Sequence, residues 1–138
     1  LIVGGTFKNG DICCNITKGD YSVLLDTPGK NVWIYLDPPY VVDTEFNKGS
    51  KLYEFGFTND DHARFVETVK RCKHKICISY DNNPKVKSWF KEEDGFHIDE
   101  HEWVYCGSSQ EKKTVGKELI ITNYPKSLPY SMFDDEWS

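Results

Sequence analysis

One ten-residue stretch, residues 31–40, constrains the fold of this chain more than any other part of its sequence. Residues 31–36 (NVWIYL) are almost continuously β-branched, aromatic or aliphatic, which predicts a strand buried on both faces of a sheet. Asp37, Pro38, Pro39 and Tyr40 follow at once, and the strand must end there because proline has no N–H to donate to a neighbouring strand. The sequence therefore predicts a strand whose carboxyl end opens into a stiff segment that is both polar and aromatic.

The pattern on either side predicts an α/β fold with a mainly parallel sheet. Strands and helices alternate at first, and a short connection then joins the last two strands, which should pair antiparallel. The predicted elements are a short helix over 20–27 capped by Asp20, the strand over 31–36, a helix capped by Asn59 or Asp60, a strand over 75–80, a helix opened by Pro84 and ended by Gly95, and strands over 97–105 and 118–124.

This topology predicts a ligand site at the carboxyl ends of two strands. Residues 37–40 follow one strand, and Tyr80-Asp81 ends the next, so Tyr80-Asp81 is expected to shape the same pocket. Asp37 supplies a carboxylate acceptor, the carbonyl of Pro38 is a second acceptor, and Tyr40 offers a flat face for stacking. Such a set suits an aromatic ring that carries an exocyclic amine, because its two N–H groups need acceptors.

The composition of the chain argues against several classes of function and site. The 138 residues suit one domain, and the net charge of −5 argues against nonspecific DNA binding by the chain alone. The five cysteines are irregularly spaced and form no CxxC pair, which predicts reduced thiols in a cytoplasmic protein and no zinc site. No apolar run is long enough to cross a membrane. The first residue is Leu1 rather than Met, so the sequence is expected to be an excerpt of a longer protein.

Several segments, in order, resemble the Dam-like, D12-class family of DNA adenine-N6 methyltransferases. Asp37-Pro38-Pro39-Tyr40 is similar to the catalytic motif of that family, and Asp20-Tyr21 precedes it where the family has Asp followed by Phe or Tyr. The other matching segments are GGTFKNG at 4–10, FTNDDH at 57–62, ISYDNNP at 78–84 and GKELIITNYP at 116–125.

The resemblance implies a partial Rossmann-like, S-adenosylmethionine-dependent methyltransferase sheet. Residues 1–11 would end the target-recognition region and residues 12–125 would form the catalytic part. Residues 126–138, with an acidic end, are expected from their composition to be a tail that is poorly ordered or docks loosely. The sequence departs from the family in lacking the Phe-x-Gly-x-Gly loop that cradles the cofactor. The missing loop implies that a further N-terminal part of the same protein is needed.

The family implies roles for the catalytic motif. Asp37 and the carbonyl of Pro38 would accept the two amine hydrogens of an adenine flipped out of double-stranded DNA, and Tyr40 would stack on its ring. Pro39 completes the rigid turn between them. The methyl group would move from S-adenosylmethionine to N6 by direct displacement, which requires neither a cysteine nucleophile nor a metal.

Positions outside the catalytic motif also have expected roles. Asp20, Tyr21 and Asp37 would bind the cofactor, although Asp20 equally suits a helix cap and Tyr21 a core position. Lys48, Lys51 and Tyr53 would contact the target strand, with a solvated loop as the simpler interpretation for each of them. His62 stands in the first turn of a predicted helix, where packing is a more common role than general-base catalysis.

Two other functions compete with this one. A truncated methyltransferase-fold remnant would keep the sheet and act as a DNA or protein interaction module without catalysis. A methyltransferase acting on an amide or amine of protein or RNA would more often carry Asn-Pro-Pro-Tyr, and Asp37 argues against it.

Overall fold

The computed structural model describes residues 2–8, 11–41, 56–105 and 114–125, and within these ranges it contains two sheets. The first is an antiparallel hairpin of β1 (Ile2–Lys8) and β2 (Asp11–Thr17). The predicted boundary between residues 11 and 12 falls at the start of β2, so the hairpin crosses it, and the division into regions stays a prediction. The expected loose tail over 126–138 lies outside the described residues.

The second sheet has four strands in the order β3-β4-β6-β5. They are β3 (Trp33–Leu36), β4 (Lys75–Asp81), β5 (His97–Tyr105) and β6 (Thr114–Thr122). The α/β class and the antiparallel C-terminal hairpin are confirmed, because β5 and β6 pair antiparallel. The prediction of a mainly parallel sheet is wrong. Only β3 and β4 pair in parallel, since β6 lies between β4 and β5 and runs antiparallel to both.

The prediction that β3 is buried on both faces is also wrong. Ile34 and Leu36 are buried, whereas Trp33 and Tyr35 are 56% and 52% exposed. Within the described chain, β3 is an edge strand of a sheet whose helices cover one face. A continuous apolar run does not distinguish this arrangement from full burial, because large aromatic side chains also occur on open faces.

Helix caps explain where the first two helices begin. Asp20 caps α1 (Tyr21–Leu25) as predicted, and its carboxylate accepts from the backbone N–H of Ser22 at 2.9 Å. The second helix, α2 (Asn59–Arg71), begins at the first of the two predicted caps, so its actual cap stands one residue earlier. Thr58 caps it, in a reciprocal capping box with Asp61, which satisfies two backbone donors at once.

The third helix is shorter than predicted. Asn83 caps α3 (Pro84–Trp89), and Pro84 takes the first-turn position where its missing N–H costs nothing. Gly95 does not end α3. It closes the following 3-10 turn (Glu92–Asp94) with a φ of 85°, a left-handed conformation that favours glycine.

The core lies between the helices and one face of the four-stranded sheet. Alternate residues of β4 point into it, and the ring of Tyr80 meets Phe65 of α2 and Trp89 of α3 at centroid distances of 6.2 and 6.3 Å. The other face of the sheet therefore carries the odd-numbered positions of β3 and β4. The main buried members of the core are Ile34, Leu36, Phe65, Val66, Val69, Ile76, Ile78, Tyr80, Val86, Leu119 and Ile121.

His62 belongs to this core, which confirms the packing interpretation. Its side chain is buried, its Nδ1 lies 2.5 Å from the Tyr80 hydroxyl oxygen, and its ring stacks on Trp89 at 5.6 Å. Nε2 has no hydrogen-bond partner among the described residues. Burial lowers the pKa of His62 below its ordinary value of 6.5, because the imidazolium form would lose hydration that the core does not replace.

Truncation of Ile78 tests the position of the core. Ile78 is fully buried and lies between Leu36 and Ile121 in the sheet register, so Ile78→Ala should lower the free energy of unfolding by ~2–5 kcal/mol. Urea denaturation measures the change. Val23, which is 71% exposed, is the control, and Val23→Ala should stay within ~0.5 kcal/mol of wild type. Equal effects of the two variants would contradict the assigned core.

The burial of His62 predicts a pH dependence of stability. The unfolded chain binds a proton near pH 6.5 and the folded chain only at lower pH, so the free energy of unfolding should fall as pH drops below 6.5. His62→Asn should flatten this slope, although packing losses lower its stability at every pH. Urea denaturation between pH 5 and 8 (roughly the range over which histidine titrates) measures the slope. His97→Gln, at a position on β5, is the matched control, and a slope unchanged by His62→Asn would contradict the assignment.

Candidate active site

The segment that follows β3 forms an open cleft of about 220 Å³ lined by Asp37, Pro38, Pro39 and Tyr40. Asp37 is exposed, Pro38 is buried, and Pro39 and Tyr40 are half-buried. The two prolines hold their φ angles near −65°, so the carboxylate and the ring leave a stiff turn. The cleft thus combines a solvent-accessible acid with an aromatic side chain, as the motif predicts.

A chain of hydroxyl groups reaches the Asp37 carboxylate across the sheet. The Tyr35 hydroxyl donates to Ser79 Oγ at 2.9 Å, and Ser79 Oγ donates to Asp37 Oδ1 at 3.2 Å. The parallel register explains this contact, because Leu36 lies opposite Ile78 and the next residues of the two strands therefore meet. Asp37 keeps most of its acceptor capacity, since a carboxylate offers about four lone-pair sites.

Tyr40 is held at the far end of its ring. Its hydroxyl donates to Glu118 Oε1 at 2.6 Å, and Glu118 lies on β6, 78 positions further along the chain. Hydrogen bonds to an ionised carboxylate are roughly twice as strong as neutral ones. Because Oη lies at the end of the axis about which the ring turns, this contact restricts the direction of the ring axis and the position of its far end.

The carboxyl end of β4 holds the backbone of the same segment. The N–H of Val41 donates to Asp81 Oδ1 at 3.1 Å, so the ends of β3 and β4 meet as predicted. Burial raises the pKa of Asp81, and the hydrogen bond from Val41 opposes that effect. The prediction that Tyr80 shapes the same pocket is wrong, because its side chain points into the core and forms a hydrogen bond with His62.

Asp20 lies in a different polar cluster from the cleft. Arg64 of α2 binds its carboxylate with two nitrogens, Nη1 to Oδ2 and Nη2 to Oδ1, both at 3.0 Å. These bonds, followed by those from Ser22, hold the pKa of Asp20 well below its usual value of 3.8. The Asp20 side chain is 46% exposed, so the predicted cap is confirmed while the carboxylate stays accessible.

Tyr21 packs where α1 meets α2. Its ring is 5.3 Å from Phe65, edge to face, and 6.1 Å from Phe57, while the Arg64 guanidinium lies 5.2 Å from its centroid. Tyr21 is half-buried, which agrees with the expected core position. Neither Asp20 nor Tyr21 lines the cleft at Asp37, and their cofactor-binding role stays a prediction.

The remaining predicted site residues cannot be placed in this geometry. Lys48, Lys51 and Tyr53 lie outside the described residues.

Across the described ranges, no three His, Cys, Asp or Glu side chains cluster as a metal site would require. A separate search of the same ranges finds no helix with the length and hydropathy of a membrane span.

Sequence reasoning missed the side chains that hold the cleft. Ser79 stands two residues before Asp81 on a predicted strand, so alternation alone places both on one face. Glu118 is the first residue of the predicted last strand. The missing information was the pairing of β4 with β6, which places Glu118 opposite Asp81.

Two comparisons with known proteins bear on this site. The model of the D12 class N6 adenine-specific DNA methyltransferases matches residues 6–106. The Type II methyltransferase M1.LlaDCHI of Lactococcus lactis subsp. cremoris is 24% identical over 113 residues, which are 79% of this chain and 39% of that protein. The chain therefore spans well under half the length of this curated relative. The family match covers most of the chain and includes the cleft, so the chain belongs to the D12 class of N6 adenine-specific DNA methyltransferases.

Proposed function

We propose that this chain is the catalytic part of a DNA methyltransferase that transfers a methyl group from S-adenosylmethionine to N6 of adenine. The observation that carries the proposal is the cleft, where a stiff turn presents the Asp37 carboxylate and the Tyr40 ring at the carboxyl ends of two parallel strands. Membership in the D12 class supports the substrate, because the family is described by adenine-specific methylation of DNA.

Asp37 would act on the amine of the target base. One N–H of N6 donates to the carboxylate, and the Pro38 carbonyl accepts the other, which turns the nitrogen lone pair toward the methyl carbon. As the new N–C bond forms and the S–C bond breaks, positive charge grows on N6 and the carboxylate stabilises it. The nitrogen then loses a proton to solvent by way of the exposed Asp37 carboxylate. The open position of Asp37 suits this role, because a buried acid would not reach a base outside the chain.

Tyr40 would hold the ring of the same base. An adenine inside a duplex is not accessible, so it must swing out of the stack before N6 reaches Asp37. Stacking on an aromatic side chain compensates part of the lost base stacking, by about 1–3 kcal/mol for each base. Pro39 separates the acid and the ring by a rigid spacing, which favours one orientation of a planar ligand.

The cofactor supplies the methyl group as an activated sulfonium. Asp20 fits its adenine amine, since Oδ1 accepts from Ser22 and Arg64 whereas Oδ2 accepts from Arg64 and keeps a lone pair for a further N–H. Tyr21 would support the same ring.

We also propose that residues 12–125 form the catalytic part and residues 1–11 end a target-recognition region. A further N-terminal part would supply the glycine loop and most of the DNA contacts, to which Lys48, Lys51 and Tyr53 would add.

Replacement of Asp37 tests the catalytic role. In the full-length protein, Asp37→Asn should lower kcat for DNA methylation by about 10²–10³-fold, because an amide lacks the charge that stabilises the transition state. Mass spectrometry of N6-methyladenine in digested DNA measures the product. Asp60→Asn, at an exposed position in the first turn of α2, is the matched control. A kcat within twofold of wild type for Asp37→Asn would contradict the proposed mechanism.

Asp20 can be tested without loss of its helix cap. Serine caps helices about as well as aspartate, so Asp20→Ser retains the cap and removes the carboxylate. If Asp20 binds the cofactor, this variant should raise the dissociation constant of S-adenosylmethionine about tenfold, as for the loss of one charge-assisted hydrogen bond. Calorimetric titration measures it, with Arg64→Ala as the control that removes the ion pair and the contact with Tyr21 but keeps the carboxylate. Unchanged affinity in Asp20→Ser would restrict Asp20 to its structural role.

A further inference from the structure

Three polar side chains stand together on the face of the sheet opposite the core. Ser79 and Asp81 alternate with the buried Ile78 and Tyr80 on β4, and Glu118 lies opposite Asp81 on β6. We call Ser79, Asp81 and Glu118 the bracket. Ser79 and Asp81 share one face because the side chains of a strand alternate between its two faces. Glu118 lies on the same face because it pairs directly with Asp81.

Each member of the bracket holds a different group of the cleft. Ser79 donates to the Asp37 carboxylate at 3.2 Å, Glu118 accepts from the Tyr40 hydroxyl at 2.6 Å, and Asp81 accepts from the backbone N–H of Val41 at 3.1 Å. The segment is thus held at its first residue, at its last motif residue and just beyond it. None of these three contacts comes from a residue next to the segment in sequence.

These contacts differ from ordinary surface hydrogen bonds, because the side chains of the bracket are buried or half-buried. Ser79 is only 6% exposed, and its hydroxyl also accepts from Tyr35, so the proton that it donates points at Asp37. Glu118 is half-buried between β4 and β5. Polar groups in such positions keep a defined orientation, because rotation would leave a partly buried donor or acceptor without a partner.

We propose that Ser79, Asp81 and Glu118 are positioning residues that orient the Asp37 carboxylate and the Tyr40 ring toward the target adenine. The inference rests on the proposed function, since it concerns the same cleft. Displacement of a reacting group by about 1 Å can cost on the order of 10²-fold in rate. The bracket therefore acts on the rate of methyl transfer through Asp37 and Tyr40, without touching the substrate itself.

A double-mutant cycle between Tyr40 and Glu118 tests the proposal in the full-length protein. Tyr40→Phe removes the hydroxyl and keeps the ring, while Glu118→Leu removes its acceptor. Each should lower kcat about tenfold and leave KM for S-adenosylmethionine within about twofold, and the double variant should be no slower than either single variant. Glu118→Gln keeps an acceptor oxygen and should recover most of kcat. Glu102→Leu, at an exposed position on β5, is the matched control.

Ser79→Ala provides a second, independent test of the proposal. It removes the hydroxyl that faces Asp37 with almost no change in volume, and should lower kcat in the wild-type protein. In the Asp37→Asn background it should have no further effect, because the charge that it orients is already absent. Additive losses of kcat in both pairs, or a kcat insensitive to Glu118→Leu and Ser79→Ala, would overturn the proposal.

The unfolding of the same variants separates the two proposals. If the wild-type protein does not methylate adenine in DNA, the proposed function fails. The bracket is then judged on the urea midpoints of the Tyr40 and Glu118 variants. If the shift of the midpoint in the double variant is smaller than the sum of the two single shifts, the bracket still holds this segment in place. If the shifts add, the proposal is overturned.

Discussion

The parallel pairing of β3 with β4 is the constraint on which the rest of the site depends. Its register places Leu36 opposite Ile78, and both side chains are buried in the same core. The residues that follow, Asp37 and Ser79, then meet on the other face. A slip of one residue would exchange the faces of a strand, burying polar groups and exposing the core. Core packing therefore fixes the geometry of the cleft.

Strand β4 serves the core and the cleft at the same time. Its even-numbered positions pack under the helices, and its odd-numbered positions support the segment after β3. Alternation with a period of two makes this possible, since neighbouring residues face opposite sides of a sheet. Stability and positioning are thus coupled through one short stretch of backbone, although different side chains carry each.

Residue type alone is a poor guide to role in this fold. His62 has the chemistry of a general base, yet it lies in an aromatic core that disfavours its charged form. Asp20 has a carboxylate like that of Asp37, but a guanidinium and a helix N-terminus occupy much of it. The environment of each group, rather than its identity, separates packing, capping and the exposed acid of the cleft.

The sequence by itself determined the local features. Apolar runs, caps and prolines were enough to place β3 to β6 and the three helices approximately, the end of β3 at Asp37, and the family motif within the cleft, but they did not predict the hairpin of β1 and β2. Only the tertiary structure decided that β6 lies between β4 and β5, that one face of β3 is open, and that Glu118 reaches Tyr40. The physical reason is distance along the chain. Propensities and caps act over a few residues, whereas strand order depends on which distant apolar faces pack best together.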